Sequence, residues 1–202
     1  MDKDNSNNID NINESSDRSR DGVFRGRKVN EKKGVKYYLK EWILPIAIAF
    51  VLAMIIHKTW FYLIKIPSGS MRPTIMEGDK ILVTRVHNTD KLKRGDIIVF
   101  HSDELQLDLI KRLIGLPGDR IEIKENGDLY INGQKQNEPY VVNQLGIESK
   151  FEVPEDKFLF LGDNRANSKD ARLWDEPYIS KDKVMGKAQF IVTPIKRFGK
   201  LK

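Results

Sequence analysis

Three short segments bring together residue types that do chemistry. Pro67-Ser68-Gly69-Ser70-Met71-Arg72-Pro73-Thr74 holds a Gly-Ser step between two prolines. Such a stretch is stiff and tightly bent, and presents a hydroxyl beside backbone N–H groups; it also reads as a plain linker. The second segment, LDLIKRLI at 107–114, sets two cations side by side in an apolar strand. Alternation places Lys111 on the face of Leu109 and Leu113, and Arg112 on the face of Ile110 and Ile114. One of the two must enter an apolar environment or snorkel past it. The third, GDNRANSKDAR at 162–172, follows the apolar run KFLFL and interleaves Asp163, Arg165, Asp170 and Arg172. It reads either as a solvated loop or as a hydrogen-bonded network that positions Ser168.

The elements that must carry these segments are mainly β. DKILVTRV (79–86), DIIVF (96–100), LDLIKRLI (107–114), RIEI (120–123), DLYI (128–131), KFLFLG (157–162) and KAQFIVTPI (187–195) are short and rich in β-branched residues. Asn126-Gly127 and Asn132-Gly133 are tight-turn signals, the first closing a hairpin. Pro117-Gly118 fits the centre of a type II turn. No long helical period or internal repeat follows Leu63.

Ahead of this domain lies a different kind of sequence. Residues 1–40 read as a disordered, basic, cytoplasmic tail: polar and without period at first, then rich in Arg and Lys from Arg18 to Lys40. Residues 41–63 read as one transmembrane anchor helix, roughly 22 residues and on the order of 33 Å if it runs to Leu63. Tyr37, Tyr38 and Trp42 at one end and Trp60, Phe61 and Tyr62 at the other resemble interfacial belts. The Lys/Arg excess before the span puts the N-terminus inside the cell and 64–202 outside it as a single β-domain. No small-x-small site follows the apolar run, so the anchor is expected to stay uncleaved.

Composition closes off several chemistries. The 202 residues include no cysteine, which removes disulfides, Cys-based zinc sites and thiol nucleophiles. Of the three histidines, His57, His87 and His101, no two stand at metal-ligand spacing, so no metal is expected. The net charge of +6 raises nucleic acid or anionic lipid as partners, and its concentration ahead of the apolar run favours lipid.

PSGSMRPT, RGDIIVF (94–100), IKRLIGLPGD (110–119) and GDNRANSKDAR, in that order behind one anchor, resemble the bacterial type I signal peptidases, in the compact form typical of Gram-positive bacteria. The likeness covers about residues 40 to 200. It implies a serine endopeptidase that removes signal peptides after A-x-A-like sites and needs no cofactor. By this resemblance Ser70 is the nucleophile and Lys111 the general base. Ser68 is the oxyanion-hole serine beside the Ser70 N–H, Ser168 orients the lysine, and Asp170 and Arg172 support the site. Ile66, Met71, Ile75 and Ile110 become candidates for the substrate pockets, with core packing as the alternative for each. Implied partners are the signal peptides of translocated precursors and the lipid bilayer, with no nucleic acid.

The chain departs from the family pattern at Ala166, at Ala171 and across 173–178, where local changes in the supporting loop are expected. An exposed lysine has a pKa near 10.4, so a base working at neutrality must be shifted by roughly three units, which burial among apolar groups can do. Lys111 is the lysine that the pattern would bury. A Ser-His enzyme built on His87 or His101, a soluble self-cleaving repressor of the DNA-damage response and a silent anchored binding domain are the competing readings.

Overall fold

The computed structural model describes residues 39–201. The expected tail over 1–38, with Tyr37 and Tyr38, lies outside the described residues. The chain divides into two units, 1–44 and 45–202. The described part of the first is a single π-helical turn, Leu39–Ile43, with Leu44 opening helix α1, Leu44–Trp60.

Helix α1 is apolar from Leu44 to Ile56 with no acid in its first turn, and Pro45 sits where a missing N–H costs least. Ile46, Ile48, Phe50, Val51, Leu52, Met54 and Ile55 are all exposed along it. The expected helix to Leu63 is corrected here: it ends at Trp60, and Phe61–Lys65 forms strand β1. The reason is pairing. Phe61 to Lys65 run antiparallel to the next strand, from Phe61 opposite Thr84 to Lys65 opposite Lys80. Aromatic and β-branched side chains favour that ladder over one more helical turn. Among the described residues no helix is long and apolar enough to cross a membrane.

After β1 come β2 (Lys80–Arg85), β3 (Ile97–Ser102), β4 (Leu107–Gly115), β5 (Arg120–Ile123), β6 (Leu129–Ile131), β7 (Gln134–Lys135), β8 (Ser149–Glu152), β9 (Lys157–Leu161), β10 (Tyr178–Ser180), β11 (Val184–Thr193) and β12 (Gly199–Lys200). They form two antiparallel sheets. The larger has the order β1-β2-β11-β3-β4-β9-β10, with β12 added to β11; the smaller has the order β7-β6-β5-β8. Every run read as a strand forms one. Asn126-Gly127 closes the β5–β6 hairpin, with Gly127 at φ 83°. Asn132 and Gly133, at φ 51° and 79°, turn β6 into β7. Gly118, at φ 80°, follows Pro117 in the turn from β4 to β5, where the Asp119 N–H donates to the Leu116 carbonyl at 3.0 Å.

Strand β3 decides how the core is arranged. Its alternate residues feed two apolar clusters: Ile98 and Phe100 join Leu113, Phe158 and Phe160, while Ile97 and Val99 join Ile66, Met71, Ile75, Ile81 and Val83. Both faces of the sheet are therefore covered where β3 pairs with β4.

Candidate active site

The Ser70 turn hangs from the β1–β2 connection. Its base is closed by two backbone bonds: the Ile66 N–H donates to the Asp79 carbonyl, and the Gly78 N–H to the Ile66 carbonyl, each at 2.9 Å. Met71 and Ile75, both fully buried, pin the turn into the second cluster. Ser70 is nearly buried and Ser68 exposed. Both line a cleft of about 350 Å³ with Gly69, Arg72, Glu77, Asn164 and Asn167. Arg72 and Glu77 form an ion pair on its rim.

Lys111 and Arg112 lie opposite Ile98 and Ile97 across the β3–β4 ladder. With both faces of that sheet covered, neither cation has a solvent face. Both are buried, Lys111 at 3 % exposure and Arg112 at 2 %. Arg112 meets its charge requirement in full. It grips Asp163 through Nε and Nη2 at 2.8 and 2.7 Å, donates to the Gly95 carbonyl at 2.7 Å and stacks on the Tyr140 ring. Among the described residues no carboxylate lies within ion-pair distance of Lys111, and its Nζ donates to Ser168 Oγ at 3.0 Å. Burial pushes its amine down to about 8 from the usual lysine range, against the opposing pull of Asp170 and Asp163 and with help from the Arg172 guanidinium.

The polar loop reaches these groups because β9 pairs with β4, Leu161 standing opposite Arg112. The chain leaves β9 through Gly162. A Cβ there would fall 2.2 Å from Ser168 Oγ and 2.6 Å from the Ser70 carbonyl oxygen. Only glycine allows this approach, and through it the Ser168 hydroxyl and the Ser70 backbone come together. Asp170, fully buried, accepts the Gly162 N–H at 3.0 Å and grips Arg172 through Nε and Nη2 at 2.8 and 2.9 Å.

The four interleaved charges do not form one closed network. Asp170 pairs with Arg172, whereas Asp163 pairs with Arg112 and Arg165 with Glu138. Ala171 is buried against the first cluster, and Ala166 is exposed with its N–H donated to the Asn143 carbonyl. Ile66, Met71, Ile75 and Ile110, expected to line shallow pockets or pack in the core, are buried together in the second cluster. Of these Ile66 also lines a groove with Lys65, Pro67, Glu77 and Gly78. His101 Nδ1 lies 2.8 Å from Asp108, and His87 meets the Trp60 ring edge-on.

Several contributors had no role assigned from the sequence. Thr74 donates its hydroxyl to Asp163 at 2.5 Å, and from the β7–β8 connection Glu138 and Asn143 reach the loop while Tyr140 covers Arg112 on β4. Thr74 ends the first motif and the other three sit in an aperiodic stretch, and only tertiary contact gives them a role.

The family model described as "Signal peptidase, peptidase S26" matches residues 39–193 of this chain. The chain belongs to that family. Among its signal peptidase relatives, Signal peptidase IB of Staphylococcus aureus (strain Mu50) is 37 % identical over 184 residues, covering 81 % of this chain and 94 % of its own. Signal peptidase I of Bacillus licheniformis is 37 % identical over 177 residues, covering 82 % and 94 %. A crystal structure of a signal peptidase I from Enterococcus faecalis V583 is 33 % identical, with a TM-score of 0.41, covering 48 % of this chain and 96 % of its own. The resemblance read from the four motifs is thus a family membership, and this signal peptidase is a peptidase hydrolase of mainly β fold.

Proposed function

We propose that this chain removes signal peptides from exported precursor proteins, cutting after A-x-A-like sites with Ser70 as nucleophile and Lys111 as general base. One observation carries the reading: Lys111 is a buried amine, without an ion-pair partner among the described residues and with its pKa lowered to about 8, hydrogen-bonded to a serine that shares the Gly162 approach with Ser70. An amine in that state takes a proton from a hydroxyl at mild pH, where an exposed lysine is almost wholly charged.

In the proposed reaction the neutral Lys111 amine accepts the Ser70 proton as Oγ attacks the scissile carbonyl. The oxyanion is met by the Ser70 N–H and the Ser68 hydroxyl. The lysine then returns its proton to the departing amine of the mature protein, and a water activated by the same amine hydrolyses the acyl-enzyme. Ser168 fixes the direction of the amine, and the Asp170–Arg172 pair holds the loop that carries Ser168. Ile66 lines a groove that shares Glu77 with the cleft, and Met71, Ile75 and Ile110 pack with Ile66 in the second cluster. No step calls for a metal or cofactor.

The apolar residues of α1 behind a basic run support a bilayer anchor, with the N-terminus cytoplasmic and the β-domain outside the cell membrane. The decisive experiment compares purified Ser70→Ala with the native chain on a precursor protein. The native chain is expected to release the mature protein and the variant to leave it uncut; cleavage by Ser70→Ala overturns the reading. His87→Ala/His101→Ala is expected to cut normally, and its failure with the fold intact would point to a Ser-His enzyme instead.

A further inference from the structure

The Ser70 N–H belongs to the peptide unit whose other end is the Gly69 carbonyl. A trans peptide is planar and its C=O and N–H point in opposite directions, so whatever holds the carbonyl also aims the N–H. Asn164 holds it. Its side-chain Nδ2 donates to the Gly69 carbonyl at 3.1 Å, and its backbone N–H donates to the Ser70 carbonyl at 3.1 Å. One residue thus fixes the peptide planes on both sides of Ser70. The Arg72 N–H closes a turn onto the same Gly69 oxygen at 3.1 Å.

The Asn164 amide is itself oriented. Its Oδ1 accepts from Asn143 Nδ2 at 2.8 Å and from Asn167 Nδ2 at 3.1 Å, which leaves its own NH2 facing Gly69. Asn143 arrives from the β7–β8 connection in a left-handed conformation, φ 47°, and its carbonyl accepts the Ala166 N–H at 2.9 Å. Asn164 is 5 % exposed, so this amide works in a low-dielectric setting, where a bond to a carbonyl polarises the N–H at the other end of the same peptide.

We infer that Asn164 is a positioning residue that aims the Ser70 N–H into the cleft as an oxyanion donor, and that Asn143 holds the Asn164 amide in its donating orientation. The inference rests on the reading of Ser70 as nucleophile. Neither residue touches the reacting atoms; both act through the Gly69–Ser70 peptide.

The test uses the full chain and four variants: Asn164→Asp, Asn143→Gly, Asn143→Asp and Ser70→Ala. Asn164→Asp keeps the shape and the acceptor but replaces the donor with a carboxylate facing the Gly69 carbonyl. Asn143→Gly keeps the left-handed backbone and loses only the amide. Because a deleted oxyanion donor costs ~10²–10³ in kcat, a misaimed one is expected to cost about ten- to a hundredfold in Asn164→Asp. A smaller loss, about three- to tenfold on the same scale, is expected in either Asn143 variant. KM should stay within about twofold, since the developing charge exists only in the transition state.

The discriminating readout is a peptide aldehyde, whose carbonyl carbon bonds to Ser70 Oγ while the neutral Lys111 amine takes the Ser70 proton, so that the aldehyde oxygen becomes a tetrahedral oxyanion. Its affinity should fall in step with kcat, while that of an uncleavable peptide of the same sequence stays constant. Equal losses for both ligands, or no loss for either, overturn the inference. If Asn164→Asp does not fold, the Asn143 variants decide by the same criterion. Cleavage by Ser70→Ala overturns the reading of the site as a whole. An inactive Ser70→Ala beside positioning variants with native kcat overturns this inference alone.

Discussion

Lys111 is held near pKa 8 by loss of water, and the two nearby carboxylates that oppose the shift do not cancel it. The sign of the consequence follows directly. In the proposed reaction the amine acts neutral, so kcat/KM is expected to rise with pH through about 8. A midpoint near the ordinary lysine value would mean that the amine is solvated. Stability moves the same way. Between about 8 and 10.5 the unfolded chain binds the lysine proton and the native chain does not, so stability rises with pH across that window. Below it the cost of the buried charge is fully present. Lys111→Met is therefore expected to be inactive yet to gain stability over the native chain at pH 7, with the gain shrinking towards pH 10.5 in denaturant melts. Its neighbour behaves in the opposite way. Arg112→Met leaves Asp163 as a buried, unpaired carboxylate and should cost about 3–5 kcal/mol by denaturant unfolding. Two adjacent cations in an apolar strand were plain in the residues. That both are buried, one paired and one not, was not, because the covering groups come from distant parts of the chain.

At the scale of elements, the pairing of β4 with β9 brings a polar loop to a buried amine, and Gly162 is the point where it closes. Gly162→Ala is expected to lower kcat at least about a hundredfold by displacing Ser168 or the Ser70 backbone, on the scale of a misplaced reactive group. Circular dichroism should show the strands retained, and a variant with native kcat would mean that the loop yields without moving the site. Strands with β-branched alternation and turns with Asn-Gly or Pro-Gly were legible, since those preferences are local. β1, β7, β8, β10 and β12 were not. β1 continues an apolar run with no punctuation, so only its partner β2 distinguishes strand from helix. The others are short and half-exposed, and owe their form to the neighbour they pair with.

On the scale of the whole molecule, the small sheet and the 162–172 loop are tied by the segment around Glu138 to Leu145. Arg165 pairs with Glu138, the Val142 N–H donates to the Asp163 carbonyl, and Arg172 donates to the Leu145 carbonyl. Glu138→Ala leaves the Arg165 guanidinium buried without its carboxylate. It is expected to cost about 3–5 kcal/mol and to lower activity through the loop, checked by melting and by kcat on the same sample. If the bilayer reading of α1 holds, the full chain should stay with membranes through alkaline carbonate extraction, and release into the supernatant would count against it. The amino-acid sequence by itself determined the mainly β character, the order of the motifs and the turns, because each rests on local preference or on residue type. Only the tertiary structure decided that both cations lose water, that Gly162 joins Ser168 to Ser70, and that Asn164 clamps the peptide before Ser70. Desolvation and close approach are properties of what packs around a group, and the residues that pack here lie far apart along the chain.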